Sequence, residues 1–344
     1  MPSGHSIKWI LIFIVAVMVV AFTGCSKKDE AITTVRIAHF PNVTHAQALV
    51  AREMRAFEEK LGPDFTVKYF VFNAGPSEIE AFFAGELDLG YIGPVPAVNG
   101  NIKSDGDIVI LAGATNAGAI MVVSKNSDIQ SISDLQNKKI AIPQIGNTQH
   151  LSLLSLLSEN NLSDTTKGGN VEVVPVSNPD IKTLLENGGI DAAYVPEPWG
   201  SRLVHEIGAR ILLDEKEVFR NGEYSTALLI GRKDFVEAHP DIVKKVLEAH
   251  YEMTLYLENN SETAKTMLNA QIKALTGQEL SIDVIDSVFE RLYFSYDPIS
   301  ESVMDFMNIS KDEGFIDKTT TKEKLFMFDI LNTILEEKNL PIVE

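Results

Sequence analysis

Two short runs in this 344-residue chain concentrate neutral hydrogen-bond donors: Asn42-Val43-Thr44-His45 and Asn147-Thr148-Gln149. Neither contains Lys or Arg, and His45 is the one side chain in them able to take up positive charge. Each run opens an amphipathic stretch and so stands at the start of a helix, where unpaired backbone N–H groups and the positive end of the helix dipole gather. Such ends bind small anions, and two facing each other hold an oxyanion without a buried cation. Recognition of an oxyanion is therefore the chemistry expected, with Asn42, Thr44 and His45 on one side and Asn147, Thr148 and Gln149 on the other. Patterns of turnover are missing: there is no Gly-x-Ser-x-Gly elbow, no His-Glu-x-x-His and no Gly-Lys-Ser/Thr phosphate loop. The seven histidines are scattered without metal-ligand spacing. The chain thus reads as a binder, not an enzyme, with no cofactor and no metal.

The elements that position these runs repeat. Val35 to Phe40 reads as a strand, Pro41-Asn42-Val43 as a turn, Thr44 as an N-cap, and His45 to about Leu61 as a helix stopped by Gly62-Pro63. Lys139 to Ile142 is again a strand, Pro143 to Gly146 a turn, Asn147-Thr148 a cap, and Gln149 to about Leu157 a helix. Farther along each half, a helix around Ile79–Phe83 or Ile181–Leu185 ends at glycine. Each is followed by a strand, Leu87–Ile92 or Ile190–Val195, that carries Asp, two small or apolar residues and Tyr. The spacing agrees, 88 − 37 = 51 from Ile37 to Asp88 and 191 − 140 = 51 from Ile140 to Asp191. Four elements aligned at equal offset predict two similar α/β units with parallel sheets, in which Asp88 and Asp191 are structural.

Further strands are expected at 108–111, 119–123 and 227–230, with helices over 240–257, 281–294, 301–309 and 321–335. The chain is expected to cross between lobes near residue 117 and return near 227. One lobe then holds 35–116 and 228–344, and the other 117–227. Gly93-Pro94-Val95-Pro96 and Pro196-Glu197-Pro198-Trp199 occupy equivalent places at strand ends, so Gly93, Pro94, Glu197 and Trp199 are expected at the cleft. Trp199 would cover the organic part of a ligand. Glu197 has two readings, a partner for a ligand ammonium or an ion pair with Arg202, and the second is preferred. Thr115, Asn116 and Ser225-Thr226 are weaker candidates near the crossovers.

The N-terminus reads as an address. Lys8, an apolar run from Trp9 to Phe22 and the small residues Thr23-Gly24 describe a secretory signal over 1–25, with a polar spacer over 26–34. No later apolar run reaches the length of a membrane span. The net charge of -18 makes nucleic acid an improbable partner.

Three motifs resemble the nitrate, sulfonate and taurine solute-binding proteins of ABC importers: Phe40-Pro41-Asn42-Val43-Thr44-His45-Ala46-Gln47-Ala48-Leu49, Pro143-Gln144-Ile145-Gly146-Asn147-Thr148-Gln149, and Val195-Pro196-Glu197-Pro198-Trp199 followed by Ser201-Arg202-Leu203. The resemblance implies a type II periplasmic-binding-protein fold, two α/β lobes joined by a hinge around a cleft. It implies a small anionic ligand (an aliphatic sulfonate, taurine or nitrate), an ABC permease and its ATPase as partners, and a monomer. His150 and Asn116-Ala117-Gly118 depart from the family pattern, which bears on ligand identity more than on fold. Phe22-Thr23-Gly24-Cys25 resembles the lipobox of bacterial lipoproteins, with Phe22 where Leu is usual. Cys25, the sole cysteine, would then carry lipid and hold the chain on the outer face of the cytoplasmic membrane. The same fold also serves receptors for thiamin pyrimidine precursors and biosynthetic enzymes, the alternative reading.

Overall fold

A computed structural model of the chain describes residues 33–344; the leader, Cys25 and the spacer through residue 32 lie outside the described residues. The first unit runs β1 (Thr34–His39), α1 (Ala46–Met54), α2 (Ala56–Leu61), β2 (Thr66–Val71), α3 (Gly75–Phe83), β3 (Leu89–Ile92), α4 (Pro94–Lys103) and β4 (Ile108–Asn116). The second runs β5 (Ala119–Val123), β6 (Lys139–Ile142), α5 (Thr148–Glu159), β7 (Glu172–Pro175), α6 (Asn178–Glu186), β8 (Ala192–Pro196), α7 (Trp199–Ile207) and β9 (Arg210–Asp214). The tail adds β10 (Ser225–Arg232), α8 (Pro240–Asn259), α9 (Ser261–Thr276), α10 (Ile282–Arg291), β11 (Tyr293–Phe294), α11 (Ser300–Asp312) and α12 (Asp329–Glu337).

Two sheets result, in the orders β11-β4-β10-β3-β1-β2 and β7-β6-β8-β5-β9. Within each, the repeated strands pair in parallel, β1 with β2 and β3, and β6 with β7 and β8. The sheets are mixed, not parallel throughout as expected. β10 runs antiparallel to β3 and β4, and β5 runs antiparallel to β8 and β9. Both β5 and β10 follow a passage from the other sheet, so they arrive running against the strands built from βαβ crossovers.

The chain passes between sheets after Asn116 and again between Asp214 and Ser225. The two passages lie side by side: the Ala117 amide donates to the Tyr224 carbonyl at 3.1 Å, and the Ser225 hydroxyl donates to Asn116 Oδ1 at 3.2 Å. Ala117 and Gly118 both take positive φ, 60° and 86°. The tail ties back to the first sheet through His250, whose ring bridges the Tyr91 hydroxyl and the Gly113 carbonyl, each at 2.8 Å.

The repeated aspartates act alike. Asp88 accepts the Arg36 amide and Asp191 the Lys139 amide, both at 2.8 Å, so each anchors the equivalent strand of its repeat, β1 or β6. Two expected helices are broken. The one predicted over 45–61 divides at Arg55, which adopts φ 57° with no Gly or Pro to mark the site. The one predicted over 321–335 is interrupted where Phe326 bridges to Ile110 of β4 and packs with Phe328 against the core. The second break is imposed by packing against a distant strand, whereas exposed Arg55 gives its amide only to Ala51 and Arg52 of the helix before it. Ser281 does cap α10, but that helix stops at Arg291 and Tyr293-Phe294 instead pair with β4.

Candidate functional site

A narrow cavity, open to solvent at its mouth, lies beyond the carboxyl ends of β1, β3, β6 and β8, with walls from both units. This is the crevice where open α/β sheets place ligands. Its walls follow the repeat. Phe40 and Pro143 are 143 − 40 = 103 positions apart, and the same interval separates Thr44 from Asn147, His45 from Thr148, Gly75 from Asn178, and Gly93 from Pro196. Asn42, Asn73, Ala74, Pro96, Gln149 and Thr226 complete the lining, and among the described residues no Lys, Arg, Asp or Glu belongs to it.

Five helices begin at this cavity: α1 after His45, α3 at Ala74-Gly75, α4 after Gly93, α5 after Asn147, and α6 at Asn178. Each presents the positive end of its dipole, and α1 and α5 a full set of first-turn amides. Pro76 removes one N–H from α3, Pro179 one from α6, and Pro94 with Pro96 two from α4. At α5 the Asn147 Oδ1 accepts the His150 amide at 2.9 Å and its Nδ2 donates to Gln149 Oε1 at 3.0 Å, so Asn147 is a cap with its side chain engaged. His150 Nδ1 accepts the Gly146 amide at 3.0 Å, and burial pushes this ring down to about 4. The Thr148 hydroxyl is buried without a partner.

On the opposite wall, Thr44 makes no capping bond, contrary to its expected role; α1 starts at Ala46 after a 3₁₀ turn over Val43–His45. The Thr44 hydroxyl is therefore not spent on the backbone there. His45 stacks on Phe40, with centroids 4.3 Å apart, and its Nδ1 accepts the Phe40 amide at 3.3 Å. The proton of the neutral ring then sits on Nε2, a donor. Burial, with His39 nearby, pushes His45 well below the usual histidine range, so it is neutral at pH 7.

Among the remaining candidates, Gly93 lines the cavity but Pro94 does not; Pro96, one turn into α4, does. A Cβ on Gly93 would fall 2.4 Å from Thr148 Oγ1, so this position lets the two walls approach. Thr115 and Asn116 lie at the passages between sheets, away from the cavity, and Thr226 reaches its edge. Trp199 packs with Ile120 and Leu203 in the second unit, and its indole N–H donates across the cleft to Asn42 Oδ1 at 2.7 Å. It clasps the walls together and is not itself part of the lining. The expected Glu197–Arg202 pair does not form. Glu197 is fully buried and accepts the Ser201 amide and hydroxyl at 2.9 and 2.7 Å, with Arg291 3.7 Å away, while Arg202 pairs with Glu206 at 2.8 Å. A long-range partner from α10 displaces the local one.

The sequence reading missed Asn73, Ala74, Gly75 and Asn178. A signal existed: Pro76 and Pro179 open α3 and α6 at the same 179 − 76 = 103 spacing. Among the described residues, no group of His, Cys, Asp and Glu is placed to hold a metal.

Two mixed sheets, paired passages and helix ends converging on the crevice define the two-lobed fold of type II periplasmic binding proteins. The alkanesulfonate-binding protein of Xanthomonas axonopodis pv. citri matches it with a TM-score of 0.73 at 20% identity, over 86% of this chain and 98% of that one. The periplasmic nitrate-binding protein of Synechocystis PCC 6803 matches with a TM-score of 0.70 at 15% identity, over 90% of each chain. The chain belongs to the NMT1-like family, whose model matches residues 28–272. The taurine-binding periplasmic protein of Escherichia coli (strain K12) is 33% identical over 198 residues, which span 57% of this chain and 58% of that relative.

Proposed function

We propose that this chain is the extracytoplasmic solute-binding component of an ABC importer, capturing a small oxyanion between two lobes and delivering it to a permease. The convergence of five helix N-termini on a cavity to which the described residues bring no charged side chain carries this reading. Binding proteins for taurine, alkanesulfonates and nitrate among its relatives and structural neighbours support the ligand class. Thr44, His45, Thr148 and Gln149 supply side-chain contacts, backed by first-turn amides. The lobes comprise 35–116 with 228–344, and 117–227, hinged at the paired passages. Ligand touching both walls favours the closed form by its differential affinity, and Asn42–Trp199 and Gly93–Thr148 contacts define that form. Lipid on Cys25 keeps the receptor, a monomer, at the membrane beside its permease and ATPase.

The test is calorimetric titration of Ser26–Glu344 with nitrate, bicarbonate and ethanesulfonate, with ligand recovery checked by chromatography. One-to-one binding with the solute recovered unchanged is expected, and Gly93→Ala should weaken it at least tenfold by wedging the walls apart. Silence toward every anion with binding of an uncharged pyrimidine would sink the oxyanion reading, and consumption of the solute would make the chain an enzyme.

A further inference from the structure

Among the described residues, the cavity walls carry no carboxylate. Two acids begin close to it, and both are turned away. Glu78 stands three residues after Gly75 in the first turn of α3, yet its side chain points behind the wall to Gly90, where an added Cβ would lie 2.0 Å from its Oε1. Neither of its oxygens has a partner, and burial raises it well above the usual carboxylate range, so it is an uncharged core group. Glu197 follows Pro196 of the wall, and its carboxylate is taken up by Ser201 and Arg291 on the far side. What faces the ligand is a set of neutral donors and a few neutral acceptors. Asn178 Oδ1 is buried and without a partner, but it bears no charge.

This asymmetry separates ligands that share a head group. A sulfonate is stabilised by the helix ends whatever its tail. An ammonium on the tail would leave water for a site already holding the positive ends of five dipoles, with no anion opposite it. Desolvating a cation under those conditions is unfavourable, and the dipoles repel it. An apolar tail of the same shape meets Phe40, Pro96, Pro143 and Pro196 instead.

Resting on the oxyanion reading above, we infer that the cleft selects an anion bearing no ammonium group, and that this receptor therefore prefers unsubstituted sulfonates or inorganic oxyanions to taurine. The taurine-binding relative is thus a guide to the head group and not to the whole ligand.

Propane-1-sulfonate and taurine form the discriminating pair, since a methyl replaces an ammonium on the same two-carbon spacer. Both are titrated into Ser26–Glu344 at pH 7.5, alongside nitrate. Propane-1-sulfonate or nitrate binding at least tenfold more tightly than taurine is the expected result. Taurine binding as tightly as, or more tightly than, propane-1-sulfonate and nitrate would overturn the inference and leave the oxyanion reading intact. Failure of all three to bind would instead remove the oxyanion reading on which the inference stands.

Discussion

The hydroxyl of Thr148 is buried at the cavity wall with no partner, an arrangement that costs about 1–3 kcal/mol unless a ligand satisfies it. Thr148→Val keeps the shape and removes the group. Melting temperature without ligand should hold or rise, while oxyanion affinity falls about tenfold, read by calorimetry beside thermal melts; unchanged affinity would take Thr148 out of the site. His45 supplies a second residue-scale test. Its ring is held well below the ordinary histidine pKa by burial, so it stays neutral from pH 8 to pH 6. Affinity for nitrate or a sulfonate should be flat over that range. If His45 instead bound as a cation, affinity would climb as pH falls through about 6.5, and titrations at three pH values would reveal it.

At the level of elements, the two units are held by the same device at different strength. Asp191 accepts the Lys139 amide. Asp88 accepts the Arg36 amide and also the Arg36 side chain through Nε at 3.0 Å. Asp191→Ala should cost about 1–3 kcal/mol through an unmet strand amide, and Asp88→Ala more, because the guanidinium loses its partner as well. Urea unfolding of the two variants decides this, and equal losses would mean that Arg36 contributes nothing through its side chain. The same repeat explains how a cavity can be legible in a sequence: walls related by one interval inherit it from βαβ units of equal length. Where an element meets a residue outside the repeat, the interval is silent, as at Phe326.

Across the whole molecule, buried histidines set a pH dependence. His39, His150 and His250 are each pushed down to about 4 by burial, whereas in the unfolded chain they titrate near 6.5. Below that value the unfolded state takes up protons that the folded state refuses, so stability falls as pH drops from about 6.5 toward 4. The loss by pH 5 is on the order of 1–2 kcal/mol for a fully buried ring. Urea midpoints at pH 7.5, 6 and 5 should decline in that order, and a constant midpoint would mean that these rings remain wet or find carboxylate partners.

Seven of the eleven strands, the starts of α1, α5, α8, α10 and α11, the doubled plan and the donor runs at Thr44-His45 and Asn147-Thr148-Gln149 were legible from the amino-acid sequence alone, because each depends on a few neighbouring residues and a constant spacing; β2, β7, β9 and β11 and the helices α4, α7 and α9 were not read. Tertiary structure alone decided which way β5 and β10 run, that α3 and α6 also open onto the cavity, and that Trp199 spends its N–H on Asn42. It also decided that Glu197 turns from Arg202 to Ser201 and Arg291. Those outcomes rest on partners brought together from distant parts of the chain. A buried polar group takes whichever partner the packed core brings within reach, and local spacing carries no record of that choice.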